Sequence, residues 1–286
     1  MDALLLCTDL DRTLLPNGPQ PESPLARLFF ARVVATPGIQ LAYVSGRNLS
    51  LVQQAISQYQ LPWPDFMVTD VGSMIYRREA NGYHPLPGWQ RHMAADWPHF
   101  NSQRLAQALG ALPHLQLQPA AQQQPYKLSY QCVPSGNMHA DIALLRRRLA
   151  TLALQWQIVS SIDETRDMGL VDILPARAGK RPAIDFLVQQ LGLAASRVFF
   201  SGDSGNDLDV LISPYRTVLV KNATPAVVKS ALAGSHQQGN HGRLYLAKGM
   251  AALALNGNYS AGIVEGLLHF FPGLKARMLA EGSCDE

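Results

Sequence analysis

Four short clusters carry side chains that could act on a phosphate ester. Asp9-Leu10-Asp11-Arg12-Thr13 places two carboxylates one residue apart. Ser45-Gly46-Arg47, Lys180 and Gly202-Asp203-Ser204-Gly205-Asn206-Asp207 follow much later in the chain. A carboxylate can attack phosphorus while a neighbouring carboxylic acid protonates the departing oxygen. Repulsion between two such groups favours keeping a proton on one of them. Ser45 offers a hydroxyl, and Gly46 lets backbone donors approach an anion closely. Lys180 supplies a cation that can hold phosphate oxygens and offset the charge of an attacking carboxylate. Asp203, Asn206 and Asp207 present hard oxygens within one glycine-containing bend, a set that suits Mg²⁺ better than zinc.

Each cluster taken singly has a plainer use. A DxD pattern occurs in turns and on surfaces, Ser-Gly is an ordinary turn, and Asp-Ser-Gly-Asn can cap a helix. Arg181 carries the same charge as Lys180, so charge alone does not choose between them. What favours the chemical reading is placement: three of the clusters follow apolar runs. In an open parallel sheet, the strand ends share one ligand crevice.

The segments before the clusters must therefore be strands of one sheet. The run 4–8 suits a strand buried on both faces, and 39–44, 65–69, 197–200, 217–220 and 244–246 are of the same type. Helical spacing covers 23–34, 49–59, 179–191 and 262–269. Strand, polar turn and helix in this order predict an α/β fold with a Rossmann-like parallel sheet. After about Arg78, proline, histidine and glutamine become frequent. There, strands over 126–133, 156–162 and 168–174 with a helix over 139–154 predict an inserted α+β cap domain. The expected organisation is a discontinuous catalytic core, 1–80 and 175–286, around a cap spanning 81–174.

Composition narrows the partners. The chain has 286 residues, 47% apolar and 16% charged, enough to bury a core and too apolar for disorder. Lys and Arg number 24 against 21 Asp and Glu, a net +3 that gives no electrostatic case for nucleic acid. No apolar run reaches a membrane span, and the N-terminus lacks the basic-then-apolar order of a secretion signal. A cytoplasmic protein without membrane partners is the expectation. Cys7, Cys132 and Cys284 form neither a ligand cluster nor a disulfide framework. The histidines between His84 and His139 are spaced unlike a metal cage, and Trp63, Trp89, Trp97 and Trp156 read as packing residues of the core or domain seam.

In order and spacing the four clusters resemble the motifs of the haloacid-dehalogenase-like phosphatase superfamily, and the insert resembles its large α/β cap subclass. Over nearly the whole chain the resemblance is strongest to sucrose-phosphate phosphatases. It is supported by Asp70-Val71-Gly72-Ser73-Met74-Ile75-Tyr76, Pro125-Tyr126-Lys127-Leu128-Ser129-Tyr130 and Val171-Asp172-Ile173-Leu174-Pro175. The resemblance implies Mg²⁺-dependent hydrolysis of a sugar phosphomonoester, with sucrose 6-phosphate as substrate. Mannosyl-glycerate and glucosyl-glycerol phosphates are the competing substrates, and a non-catalytic sugar-phosphate-binding regulator is the competing class. It further implies that Asp9 forms an aspartyl-phosphate and that Asp11 serves as general acid, then base. Thr13 and Arg47 would support these loops. Ser45, Gly46, Lys180 and Asn206 would hold the phosphoryl group, and Asp9, Asp11, Asp203 and Asp207 would form the metal site, Asp11 through its backbone carbonyl. Lys127, Asp172 and Asn222 are the substrate-contact candidates. Arg181 and Asp70 both depart from the pattern common in relatives.

Overall fold

Leu4–Thr8 (β1) is apolar along its length, and such a strand needs cover on both faces. The computed structural model, which describes residues 3–133, 138–163 and 168–279, provides that cover; Cys284 lies outside the described residues. The first half of the core runs through α1 (Ala26–Val34), β2 (Ile39–Val44), α2 (Leu49–Tyr59), β3 (Phe66–Thr69), β4 (Met74–Glu79), β5 (Gly82–Pro85) and α3 (Pro87–Asp96). The cap contributes α4 (Ser102–Leu109), β6 (Gln116–Leu117), β7 (Leu128–Cys132), α5 (Met138–Leu149), β8 (Trp156–Asp163) and β9 (Met168–Pro175). The chain then returns through α6 (Lys180–Leu191), β10 (Val198–Gly202), α7 (Leu208–Leu211), β11 (Arg216–Leu219), α8 (Pro225–Gln237), β12 (Leu244–Leu246), α9 (Ser260–Phe270) and α10 (Leu274–Leu279).

The large sheet has the order β12-β11-β10-β1-β2-β3-β4-β5. Pairing is parallel from β12 to β3 and antiparallel through β4 and β5. Strand alternation divides β1 between two cores: Leu4 and Leu6 pack with Phe30, Tyr43, Phe199 and Leu267, while Leu5 and Cys7 pack with Val44, Phe200, Ile184 and Leu187. Cys7 and Cys132 are buried free thiols, and burial raises the pKa of each. The cap is a β6-β7-β9-β8 antiparallel sheet with its own core of Trp97, Leu105, Leu128, Tyr130, Leu145, Leu149, Val171 and Ile173. No helix among the described residues is long and apolar enough to cross a membrane.

The strand and helix expectations hold to within a few residues, with two corrections. Gly82–Pro85 pairs with Met74–Glu79, so the large sheet continues past the expected boundary at residue 81. Trp89 and Met93 of α3 belong to the core cluster, whereas Trp97 opens the cap cluster. Packing thus passes from the large-sheet cluster to the small-sheet cluster between Met93 and Trp97. The helix expected over 139–154 stops at Leu149, where Thr151 N and Leu152 N turn back to the carbonyls of Arg148 and Leu149.

The outgoing and returning chains are tied together at that crossing. The Asp96 carboxylate accepts from Arg177 N at 2.7 Å and pairs with Arg177 Nε at 3.1 Å. Gln157 Nε2 donates to the carbonyls of Pro175 and Ala178 at 3.0 and 2.5 Å.

Candidate active site

β1, β2 and β10 are neighbours, and three of the four clusters leave their C-terminal ends. Asp9 follows β1, and its backbone N donates to Ser201 O at 3.0 Å. The chain then bends: Leu10 O accepts from the backbone N of Thr13, Leu14 and Leu15, with Arg12 in the left-handed region at φ 58°. Asn222 holds that bend, its Nδ2 donating to Arg12 O at 2.6 Å while its Oδ1 accepts from Tyr259 N at 2.9 Å. Each end of the Asn222 amide thus bonds to backbone. Asn222 thereby shapes the Asp9 loop.

Lys180 is the first residue of α6, and its side chain is buried. Its Nζ donates to Asp9 Oδ1 at 2.9 Å, Asp207 Oδ1 at 2.7 Å and Asn206 Oδ1 at 3.0 Å, which uses all three ammonium protons. Arg181, by contrast, turns away and pairs with Asp185 at 2.6 Å. Geometry makes the choice that charge left open. Thr13 Oγ1 bridges the other side, 3.2 Å from Asp203 Oδ1 and 3.5 Å from Asp9 Oδ2.

The β10 cluster is locked through Asp207. Its Oδ2 accepts from Asp203 N at 3.1 Å, Ser204 N at 3.2 Å and Ser204 Oγ at 3.3 Å, forming the capping box of the next turn. Gly202 is required there because a Cβ would lie 2.6 Å from Asp207 Cγ. Helix capping and chemical placement therefore coincide.

Burial dominates the electrostatics. It pushes the Asp9 carboxyl well above the usual carboxylate range; Lys180 opposes the shift, and Asp207, Asp203 and Asp11 add to it. Burial also raises Asp203 to about 6, reinforced by Asp207 and opposed by Lys180 and Arg12. For Lys180, burial alone would lower the pKa, but Asp207 and Asp9 reverse this and hold the ammonium charged. Asp9, Asp203 and Asp207 each offer an oxygen within 4.8 Å of the others, an acidic group that can hold a metal ion. Three buried carboxylates against Lys180 and Arg12, the latter 3.7 Å from Asp203 Oδ2, still leave an excess of one negative charge among hard oxygens. That donor set fits Mg²⁺.

Asp11 stands apart from that group. Its side chain is 41% exposed and forms a two-pronged pair with Arg47, Nε to Oδ2 at 2.8 Å and Nη2 to Oδ1 at 2.6 Å. Asn17 Nδ2 adds a bond to Oδ1 at 2.6 Å, and Asn17 Oδ1 accepts from Arg12 N at 2.7 Å. Ser45 is buried at the end of β2, its Oγ accepting from Arg47 N at 3.2 Å. Gly46 leaves open space where a Cβ would stand, the nearest atom being 3.9 Å away.

At the seam between core and cap, Lys127 Nζ lies 3.6 Å from Asp70 Oδ1 and 3.7 Å from Asp172 Oδ1. Lys127 and Asp172 are thus brought together as expected candidates, with Asp70 between the domains as an unanticipated third member. Asn17 was likewise not anticipated, although Pro16-Asn17-Gly18 is a turn signal beside the first cluster. Trp89 and Trp97 lie in different cores and Trp63 is 44% exposed, so no tryptophan platform forms from these three.

Residues 2–271 match the family model of sucrose-6F-phosphate phosphohydrolase. A HAD-like hydrolase of Nitrosococcus oceani is 46% identical over 96% of this chain and 74% of its own length. Mannosylfructose-phosphate phosphatase of Agrobacterium fabrum is 27% identical over 96% of this chain and 98% of its own. The chain spans half the length of the tobacco sucrose-phosphatases it also matches. Among solved structures, the Synechocystis sucrose-phosphatase in complex with sucrose and phosphate superposes with a TM-score of 0.70 at 26% identity, covering 94% of this chain and 98% of that one.

Proposed function

This chain belongs to the sucrose-6F-phosphate phosphohydrolase family and is a phosphoric monoester hydrolase, and we propose that it hydrolyses a glycosyl phosphate, sucrose 6-phosphate before others. The observation that carries the reading is Asp9 itself. Its Oδ1 is held by Lys180, while Oδ2 has, among the described residues, only the long 3.5 Å contact with Thr13, which supports its role as the attacking oxygen. In the first step Oδ2 bonds to phosphorus as the bond from phosphorus to the sugar oxygen breaks. Asp11 delivers the proton that the sugar oxygen needs to leave as an alcohol. In the second step Asp11 takes a proton from water, whose oxygen attacks phosphorus and frees the Asp9 carboxylate as phosphate departs. Asp11 reaches the leaving group by exchanging its Arg47 and Asn17 contacts for substrate ones. Ser45, the Gly46 backbone, Lys180 and Asn206 hold the phosphoryl oxygens. Asp9, Asp203, Asp207 and the Asp11 carbonyl would hold Mg²⁺, which when bound neutralises phosphoryl charge.

The same core serves any phosphomonoester, so substrate identity lies with the cap. The full-length likeness to mannosylfructose-phosphate phosphatase makes that phosphorylated disaccharide the second reading, ahead of mannosyl-glycerate and glucosyl-glycerol phosphates. The test is phosphate release by the pure protein with Mg²⁺ from a panel of phosphorylated mono- and disaccharides. A kcat/KM for sucrose 6-phosphate at least about tenfold above every other member supports the first reading. Equal rates on fructose 6-phosphate would reject disaccharide recognition.

A further inference from the structure

Asp70 is fully buried at the end of β3, yet it occupies the left-handed region at φ 54°, followed by Val71 at 57° and Gly72 at 84°. A β-branched residue in that region is costly and persists only where its surroundings enforce it. Those surroundings are the two phosphate-holding segments. Asp70 N donates to Arg47 O at 2.9 Å, and Val71 N donates to Ser45 O at 3.3 Å. On the opposite side, Gly72 packs against the backbone just before Lys180, where a Cβ would fall 2.2 Å from Gly179 O. The strained turn is wedged between Ser45-Gly46-Arg47 and the start of α6.

One oxygen of the Asp70 carboxylate faces the cap. Oδ2 is satisfied by Thr69 Oγ1 at 2.8 Å, but Oδ1 has no hydrogen-bond donor among the described residues and faces Lys127 at 3.6 Å. Asp172 Oδ1, equally without a donor, faces the same ammonium from β9. A second cap contact lands beside the first cluster's partner, with Asn48 Nδ2 donating to Ala121 O at 3.3 Å and Gln122 Oε1 at 3.2 Å. Both contacts meet segments that frame the phosphate.

We propose that Asp70 is a positioning residue: it docks the cap through Lys127 and transmits that docking to the Ser45–Arg47 loop, so that the cap and the phosphate site close as one unit. This deepens the glycosyl phosphatase reading and rests on it. The groups facing Asp70 are Lys127 and Asp172 from the cap, Thr69 beside it and Tyr76 on β4, whose phenol is raised to about 12 by burial and by Asp70. Burial lifts Asp70 to about 6, opposed by Lys127, so its charge and the docking weaken below that pH.

The experiment compares wild type, Asp70→Asn, Lys127→Met and the double variant on sucrose 6-phosphate and p-nitrophenyl phosphate, from about pH 5 to about pH 8. At the upper end, Asp70→Asn raises KM for sucrose 6-phosphate about tenfold with kcat changed less than about threefold, and its selectivity over p-nitrophenyl phosphate falls by a similar factor. Adding Asp70→Asn to Lys127→Met costs nothing more. As pH falls, wild-type KM converges on that of Asp70→Asn, a comparison in which the substrate's own titration cancels. Amide exchange in the substrate-free proteins reads the docking without turnover: residues 45–52 and 126–132 exchange roughly tenfold faster in Asp70→Asn. Unchanged exchange, additive losses, or equal losses on both substrates would overturn the proposal. Exchange that responds in a protein inert towards every glycosyl phosphate would instead reject the substrate reading and leave the docking in place.

Discussion

Two buried lysines, each between two aspartates, serve this molecule in opposite ways. Lys180 is saturated, with bonds of 2.7, 2.9 and 3.0 Å to Asp207, Asp9 and Asn206 inside one rigid domain. Lys127 sits 3.6 and 3.7 Å from Asp70 and Asp172, close enough for attraction and too far for good hydrogen bonds. The first arrangement is preorganised for charge that develops during reaction. The second holds by attraction without short bonds, which suits the docking contact proposed for the cap. Close bonding falls at the proposed chemistry, and loose pairing at the proposed docking contact.

The strongest way to break this contrast is at Asp9. Asp9→Asn removes the attacking oxygen, and phosphate release should fall by more than about 10⁴-fold with the fold intact by circular dichroism. Sustained turnover by that variant would remove the saturated site from catalysis. Lys180→Gln should lower kcat about a hundredfold, the value of one preorganised charged contact of about 3 kcal/mol. Lys127→Met sharpens the comparison because its cost should fall on KM, about tenfold or less, with kcat nearly preserved. Steady-state kinetics on one disaccharide phosphate separate the two patterns.

The smallest effect concerns stability. Asp70 has a folded-state pKa of about 6, above the ordinary value of 3.8, so its ionisation opposes folding. The stability it contributes is present below about pH 4 and is lost as pH rises through about 6. Wild type should therefore gain on Asp70→Asn by about 2 kcal/mol as pH falls from about 8 to about 4. Urea unfolding at the two pH values checks this, and a difference independent of pH would show that the carboxylate is not buried as described.

Local pattern was legible wherever one period ran through a segment. Ile39–Val44 and Leu49–Tyr59 were read to the residue because a buried strand and an amphipathic helix leave unmixed signals. The β4–β5 hairpin was not, since Arg77, Arg78 and Glu79 of β4 are exposed and carry no apolar alternation. α3 and α4 were hidden by polar positions on their outer faces. In the site, the four clusters are contiguous motifs and could be read one by one. Asp70 acts through Lys127 and Arg47, distant in sequence, Asn17 bonds back to nearby Asp11 and Arg12 from a turn that reads as a plain loop, and Asn222 looks the same in a chain whether it binds a ligand or a backbone carbonyl.

The Asp96–Arg177 clamp has a consequence for how such molecules diversify. Because departure and return are stapled side by side, the stretch between them leaves and rejoins the core at one place, and it touches the core again at Asp70 and Asn48. A foreign module spliced between those two points would have to match their short spacing and meet Asp70 and Asn48 as this one does, while it could bring its own taste in sugars.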